Sequence, residues 1–391
     1  MRKRKKNRER WRIEGIGKIK RGNVLFKPVT VLIGKPSTNK SYLMKLKFLV
    51  EEVRYLLSPE RFTYVALLME KGKEISFLSG YTLKGFKELF ESNFAVESRS
   101  FIAEKILPEL KKRKGQLDSM SELEKVGYLL RNLFRGIFKS PTEIGTKFEI
   151  KASNYQMLFD GDFKFSFDPG YFFVKNGNNI FVETPLILEL ERYLPDYIGD
   201  FPYHIATLLH WLKRKEDFSF IPKEDEQFIK EFSNEVEKVI MGKIVKGQGG
   251  LVYQEKGKNF SIINTSSGTK SIGLLQYLVE ERGITADTTL FWEEPEVHLH
   301  PEWQIKMARL LLFLASKGVT VVISTHSPLI AEGIKLMAPE LGLKEKLAFN
   351  LLVDKGEKGV EPTVIEPYSD EWDLVQDGLL GPQEDLAWKY L

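Results

Sequence analysis

The chain has 391 residues, of which 42% are hydrophobic and 29% charged, with a formal net charge of +4 and no cysteine. That balance describes a globular chain with room for a large core and two lobes. It excludes disulfides, thiolate metal sites and cysteine nucleophiles, and no apolar run reaches the ~18 residues of a membrane span.

The chain starts with a strongly basic stretch. Residues 1–12, "MRKRKKNRERWR", carry eight Lys/Arg against one Glu, so the remainder carries a net −3. Two readings fit this tail: a mobile arm touching nucleic-acid phosphates, or a solvated end. No apolar segment follows the charges, so a secretory leader is not expected and a cytoplasmic location is. Residues 12–33 alternate apolar and polar with Gly-Asn and Lys-Pro breaks, which predicts a small sheet. Residues 40–57 predict one helix, with Leu43, Leu46, Val50, Val53 and Leu57 on one side. The stretches "FTYVALLME" and "EISFLSG" look strand-like, and residues 82–139 mostly helical. Residues 146–184 switch to period two with turns at "DPG" and "NGNN", predicting a β-meander. Its many aromatic residues suit either a meander core or contact with nucleic acid. Residues 185–241 return to a helical pattern, and "GKIVKGQGGLVYQEKGKNFSIIN" reads as a pair of antiparallel strands. From residue 266 onward helix and strand alternate, which implies parallel strands joined by crossover helices. There is no internal repeat and no long heptad run.

Three strand ends carry chemistry. The apolar run Val31–Ile33 closes on Gly34, and Lys40-Ser41 opens the following helix. This is the phosphate-binding pattern G-x-x-x-x-G-K-[ST], with Asn39 at the second glycine. A second strand, "TTLFWEE", ends in Glu293 and Glu294, and Pro295 stops it. The helix after it is expected to turn Ile305, Ala308, Leu311, Leu312 and Ala315 inward. A third strand, "GVTVVIS", is continuously apolar, as a strand covered on both faces would be, and ends at Thr325-His326-Ser327-Pro328. In an open α/β sheet, ligands bind outside the carboxyl ends of the strands. A phosphate cradle, a cation ligand, a base and a γ-phosphate contact are the parts that nucleotide hydrolysis needs. His298 and His300 beside Glu294 and Glu296 could also form a metal site, although imidazoles two apart are a poor chelate. "SSG" at 266–268 is also an ordinary helix N-cap.

The order of these segments resembles an ABC-type P-loop ATPase of the non-transporter branch, the family of RecF and SMC heads and of OLD-like AAA ATPases of archaea and bacteria. "WRIEGIGKIKRGNVLFKPVTVLIGKPSTNKS" resembles its entry into Walker A. "NTSSGTKSIGLL" resembles its signature, "FWEEPEVHLHP" its Walker B segment and "ISTHSP" its switch-histidine motif. The matched parts run over roughly residues 11–57 and 244–335. The resemblance implies ATP and Mg²⁺ as cofactors. Backbone N–H groups of Gly34, Lys35, Pro36 (which lacks one), Ser37, Thr38, Asn39, Lys40 and Ser41 would surround the phosphates. Lys40 would bridge the β- and γ-phosphates, and Ser41 and Glu293 would serve Mg²⁺. Glu294 would act on the attacking water and His326 on the γ-phosphate. Ser266, Ser267 and Gly268 would face a nucleotide held by a second copy, giving a homodimer with ATP at its interface.

Three departures matter. Asn39 takes a position expected to need positive φ, which Asn tolerates at about 1 kcal/mol, so glycine there is expected to serve equally well. Glu293 stands where the family has aspartate, and Mg²⁺ demands near-ideal geometry, so slow hydrolysis is expected. The family's glutamine loop is not identifiable; Gln156 and Gln227 are the candidates. The expected fold is α/β: an ABC-type ATPase head with an inserted α+β arm. Its parts are a basic tail (1–10), the head's N-terminal part (11–75), the arm (76–243), the head's C-terminal part (244–368) and a C-terminal tail (369–391). The expected function is an ATP-gated dimerising switch in nucleic-acid maintenance or antiviral defence. It would contact DNA or RNA, or act with a separate effector such as a nuclease, and have no membrane partner. The alternative is a weakly hydrolysing nucleotide-binding scaffold that controls a partner effector.

Overall fold

The computed structural model describes residues 9–57, 61–62, 66, 107–138, 144–172, 177–191, 201–213 and 223–379. The basic residues 1–8, most of the two strand-like stretches in 62–80 and the helical stretch 82–106 lie outside the described residues, as do residues 380–391.

One sheet organises the described residues. Its strands are β1 (Glu9–Ile16), β2 (Ile19–Phe26), β3 (Val29–Gly34), β4 (Lys147–Lys151), β5 (Tyr155–Asp160), β6 (Phe163–Phe167), β7 (Asn179–Val182), β11 (Thr289–Glu293), β12 (Thr320–Thr325), β13 (Leu347–Asp354) and β14 (Val360–Ile365). They lie in the order β6-β5-β4-β1-β2-β14-β13-β3-β12-β11-β7. Strands β13, β3, β12, β11 and β7 form a parallel core. Strands β6, β5, β4, β1 and β2 form an antiparallel wing. β14 joins the two, antiparallel to β13 and parallel to β2.

The apolar runs follow from coverage of both faces. In β11, Leu290 and Trp292 enter one core while Phe291, pointing the other way, enters a second. The first core is filled by α6 (Ser267–Glu280), α7 (Pro301–Ser316) and α8 (Pro328–Met337). The second is filled by α1 (Lys40–Leu56) and α3 (Glu122–Phe138). The other described helices longer than four residues are α2 (Leu107–Asp118), α4 (Tyr203–Lys213) and α5 (Lys223–Glu237). In α7, Ala308, Leu311, Leu312 and Ala315 are buried as expected, but Ile305 is 45% exposed.

The division at 76 and 243 needs correction. β4–β6 pair through β4 with β1, and β7 pairs with β11, so these strands of the expected arm belong to the head's sheet. Leu208 and Leu212 of α4, and Phe232 and Val236 of α5, share the first core with the head strands. Period-two patterning marks a strand but not the edge it joins. Pairing with β4 covers the edge that β1 would otherwise expose, and β6 and β7 end the sheet. Residues 242–261 form a separate three-stranded sheet, β8 (Gly242–Gly247), β9 (Gly250–Glu255) and β10 (Lys258–Ser261), rather than a simple pair.

Candidate functional site

The parallel register brings three strand ends side by side. One row of Cα partners runs from Leu32 of β3 through Ser324 of β12 to Glu293 of β11. The loop after β3 is tightly wound: Gly34 has φ 153°, Ser37 φ 62° and Asn39 φ 67°. Both non-glycines sit in the left-handed region. Asn39 does not cap α1 with its side chain, and no acidic residue lies in the first turn. The N-terminal N–H groups of α1 therefore face the loop without a competing carboxylate, which suits an anion. Lys40 Nζ donates to Gly34 O at 2.8 Å and Lys35 O at 3.0 Å, and lies 3.4 Å from His326 Nδ1. Burial lowers its pKa to about 8 against the pull of Glu294, Glu296 and Glu293.

Ser41 Oγ donates to Glu293 Oε2 at 3.0 Å. The other oxygen, Glu293 Oε1, is buried without a hydrogen-bond partner. Burial pushes this carboxyl up to about 7, with Lys45 opposing and Glu183 adding to the rise. The Ser41 hydroxyl and the Glu293 carboxylate, one of whose oxygens is buried without a partner, are the kind of oxygen ligands that Mg²⁺ takes, with its remaining positions left to water and phosphate. The residues present therefore fit Mg²⁺.

Glu294 has φ 46°, and its N–H donates to Ser324 O at 2.9 Å, so it leaves the strand in a different direction from Glu293. Its Oε1 lies 2.8 Å from His326 Nε2. The tautomer with its proton on Nε2 fits both contacts, donating to Glu294 and accepting from Lys40. Glu296 fixes the histidine's backbone: its Oε1 accepts from His326 N at 2.7 Å and from Thr325 Oγ1 at 2.8 Å.

Lys40, Ser41, Glu293, Glu294 and His326 thus meet in one cluster. Lys35, Pro36 and Ser37 are exposed on the loop, and Thr38 is buried with its hydroxyl donating to Lys35 O. Ser266, Ser267 and Gly268 make no hydrogen bond to that cluster among the described residues. Ser266 caps α6 by accepting from Thr269 N at 3.2 Å, and a Cβ on Gly268 would come within 3.2 Å of His298 O. His300 is the N-cap of α7, its Nδ1 accepting from Glu302 N. Among the described residues, no three His, Asp or Glu side chains gather as a metal site of their own.

Sequence reading missed Glu183. It follows β7, next to β11, with Val182 the partner of Trp292. Its carboxylate takes Lys45 Nζ at 2.8 Å and lies 3.2 Å from His204 Nε2. The hydrogen bond from His204, together with Lys45, overcomes burial and holds it down at about 2. Neither glutamine candidate is at the site: Gln156 lies on β5 bonding Glu149, and Gln227 lies on α5 bonding Glu231. No local motif marks Glu183; only the pairing of β7 with β11 does.

Residues 187–332 match the profile of the family described as "AAA domain, putative AbiEii toxin, Type IV TA system". That span takes in Ser266–Gly268, Glu293, Glu294 and His326, while Gly34–Ser41 precede it. The described residues form a mixed α/β fold around one large sheet. Three solved structures are similar over 92% of this chain. An SMC head bound to the C-winged helix domain of ScpA has 11% identity and a TM-score of 0.44 over 98% of its length. The SMC head from Thermotoga maritima has 9% identity and 0.40 over 99%. An Smc head with an extended coiled coil, bound to the C-terminal domain of ScpA derived from Pyrococcus furiosus, has 10% identity and 0.39 over 96%. No curated protein matches the chain. Among the described residues, no helix is long and apolar enough to cross a membrane.

Proposed function

We propose that the protein is a cytoplasmic ATPase that binds ATP with Mg²⁺ and works as an ATP-gated dimerising switch in nucleic-acid maintenance or defence. The observation that carries this reading is the convergence of Lys40, the Ser41–Glu293 pair and the Glu294–His326 pair at three adjacent strand ends. Loop N–H groups and the start of α1 take the phosphates. Lys40 exchanges its loop carbonyls for β- and γ-phosphate oxygens. Ser41 and Glu293 would hold Mg²⁺, which would supply charge neutralisation for phosphoryl transfer. Glu294 orients the attacking water or takes its proton, and His326 donates to the γ-phosphate once its bond to Glu294 is released.

The alternative, a weakly hydrolysing scaffold that controls a separate effector such as a nuclease, is favoured by Glu293 in place of a shorter acid. The matched family's description as a toxin of a toxin–antitoxin system accords with a role in controlling a partner. ATP turnover by the purified protein, with and without DNA, separates the two. Lys40→Ala removes the cation aimed at the phosphates and should abolish ATP binding. Glu294→Gln should retain binding and lower turnover at least about a hundredfold. Wild-type turnover in Glu294→Gln would remove Glu294 from this role.

A further inference from the structure

Asn39 does more than tolerate a glycine's backbone angle. Its Oδ1 accepts from Lys18 N at 2.8 Å, across 21 residues, in the turn between β1 and β2. That turn fits the side chain closely. Gly17 has φ 53°, and a Cβ there would lie 2.8 Å from Asn39 Nδ2 and 3.0 Å from its Cγ. On its other side, the turn is held by Gly17 N donating to Ile144 O at 2.5 Å. The residue directly before Lys40 is therefore anchored, through the β1–β2 turn, to the segment leading into β4.

Ser37 provides an internal comparison. It too has positive φ without being glycine, yet it is exposed and its hydroxyl makes no hydrogen bond among the described residues. Both positions carry a left-handed backbone cost; only Asn39 couples it to a tertiary contact.

We infer that Asn39 is a positioning residue: its amide ties the phosphate loop to the β1–β2 turn and holds the start of α1 in its phosphate-receiving form before nucleotide arrives. A glycine would adopt the same φ without strain but would leave Lys18 N without this partner and the loop free to sample other forms. Pre-organisation lost in this way appears as weaker binding. The inference rests on the ATP-binding reading for its functional consequence but not for the tether itself.

The test compares Asn39→Gly with Ser37→Gly in the full chain. Both remove a left-handed non-glycine, so relief of strain acts in the same direction in each. Ser37→Gly should raise the melting temperature. Asn39→Gly should gain less or lose, and should weaken ATP binding by calorimetry about three- to tenfold, the scale of one hydrogen bond. Hydrogen exchange at the Lys18 amide, measured without nucleotide, should speed up in Asn39→Gly and not in Ser37→Gly. Asn39→Gly binding ATP as tightly as wild type would overturn the inference, as would Lys18 exchange unchanged by Asn39→Gly. A wild-type protein that binds no ATP would instead overturn the ATPase reading, while Lys18 exchange would still test the tether.

Discussion

At the scale of single residues, the site turns on where one carboxylate oxygen goes. Glu293 reaches Ser41 directly with Oε2 and buries Oε1 without a partner. Burial raises the pKa of this acid more than the nearby Lys45 lowers it. An aspartate is one methylene shorter. It would loosen the direct contact with Ser41 and leave room for a cation between hydroxyl and carboxylate, the arrangement that a strict octahedral ion prefers. Glu293→Asp is therefore expected to raise ATP turnover or lower the Mg²⁺ concentration needed for half-maximal turnover. Steady-state hydrolysis across a Mg²⁺ titration measures both. A variant that needs more Mg²⁺ and turns over more slowly would mean that the longer side chain is fitted to this site.

At the scale of elements, the wing and helix α1 are joined by buried charge. Glu9 of β1 accepts from Lys47 of α1 at 2.7 Å and from Tyr155 at 2.7 Å, and it also takes the hydroxyl of Tyr171 and the indole N–H of Trp11. Lys47 also reaches Glu51, and Arg54 Nη1 donates to both carboxylate oxygens of Glu51. Burial alone would raise the Glu9 carboxyl, but the charge and hydrogen bond of Lys47 together with the Tyr171 hydroxyl hold the group below the usual carboxylate range. Burial alone would lower Lys47, but Glu51 and Glu9 outweigh it and raise it. Removing one partner of such a network strands the others. Glu9→Gln should cost about 3 kcal/mol in urea unfolding, at the lower end for a broken buried pair. The sign with pH follows from the depressed carboxyl. Its contribution is present above the unfolded pKa and is lost as pH falls through the lower, folded one. The difference between wild type and Glu9→Gln should therefore shrink in acid; a difference that grows there would contradict this account. The same elements show what the sequence could and could not reveal. Gly34–Ser41, Glu293-Glu294 and His326 each lie on one short segment whose apolar run and polar end are contiguous, so they were legible. Glu183 and the wing strands depend on pairings between residues more than a hundred apart, such as Val182 with Trp292 and Ile13 with Ile150. Period-two patterning contains no record of such partners. Asn39's backbone angle was legible for the same local reason as the motifs, whereas its bond to Lys18 was not.

At the scale of the whole molecule, Ser266, Ser267 and Gly268 open a 14-residue helix but make no hydrogen bond to the Lys40 cluster. Ser266 uses its hydroxyl on Thr269, so the start of α6 is capped from within while its positive end faces outward. Nearby in the chain, Ile263 is 38% exposed, Phe260 45% and Met241 73%, more apolar surface than a lone helix start requires. A second copy presenting its bound ATP would cover this region and give the helix end a γ-phosphate to meet. ADP lacks that group, so only ATP would bind the paired state better than the single one, and that difference sets how far the equilibrium can move. Glu294→Gln protein, which keeps ATP intact, is expected to sediment as a dimer with ATP and to a lesser extent with ADP. Ser267→Arg on the same background places bulk and charge at the shared surface. It should return the protein to the monomer in ATP while calorimetry still detects ATP binding. Equal mass in ATP and ADP, unaltered by Ser267→Arg, would rule out pairing across α6 and leave the scaffold reading as the better account of why the site is built.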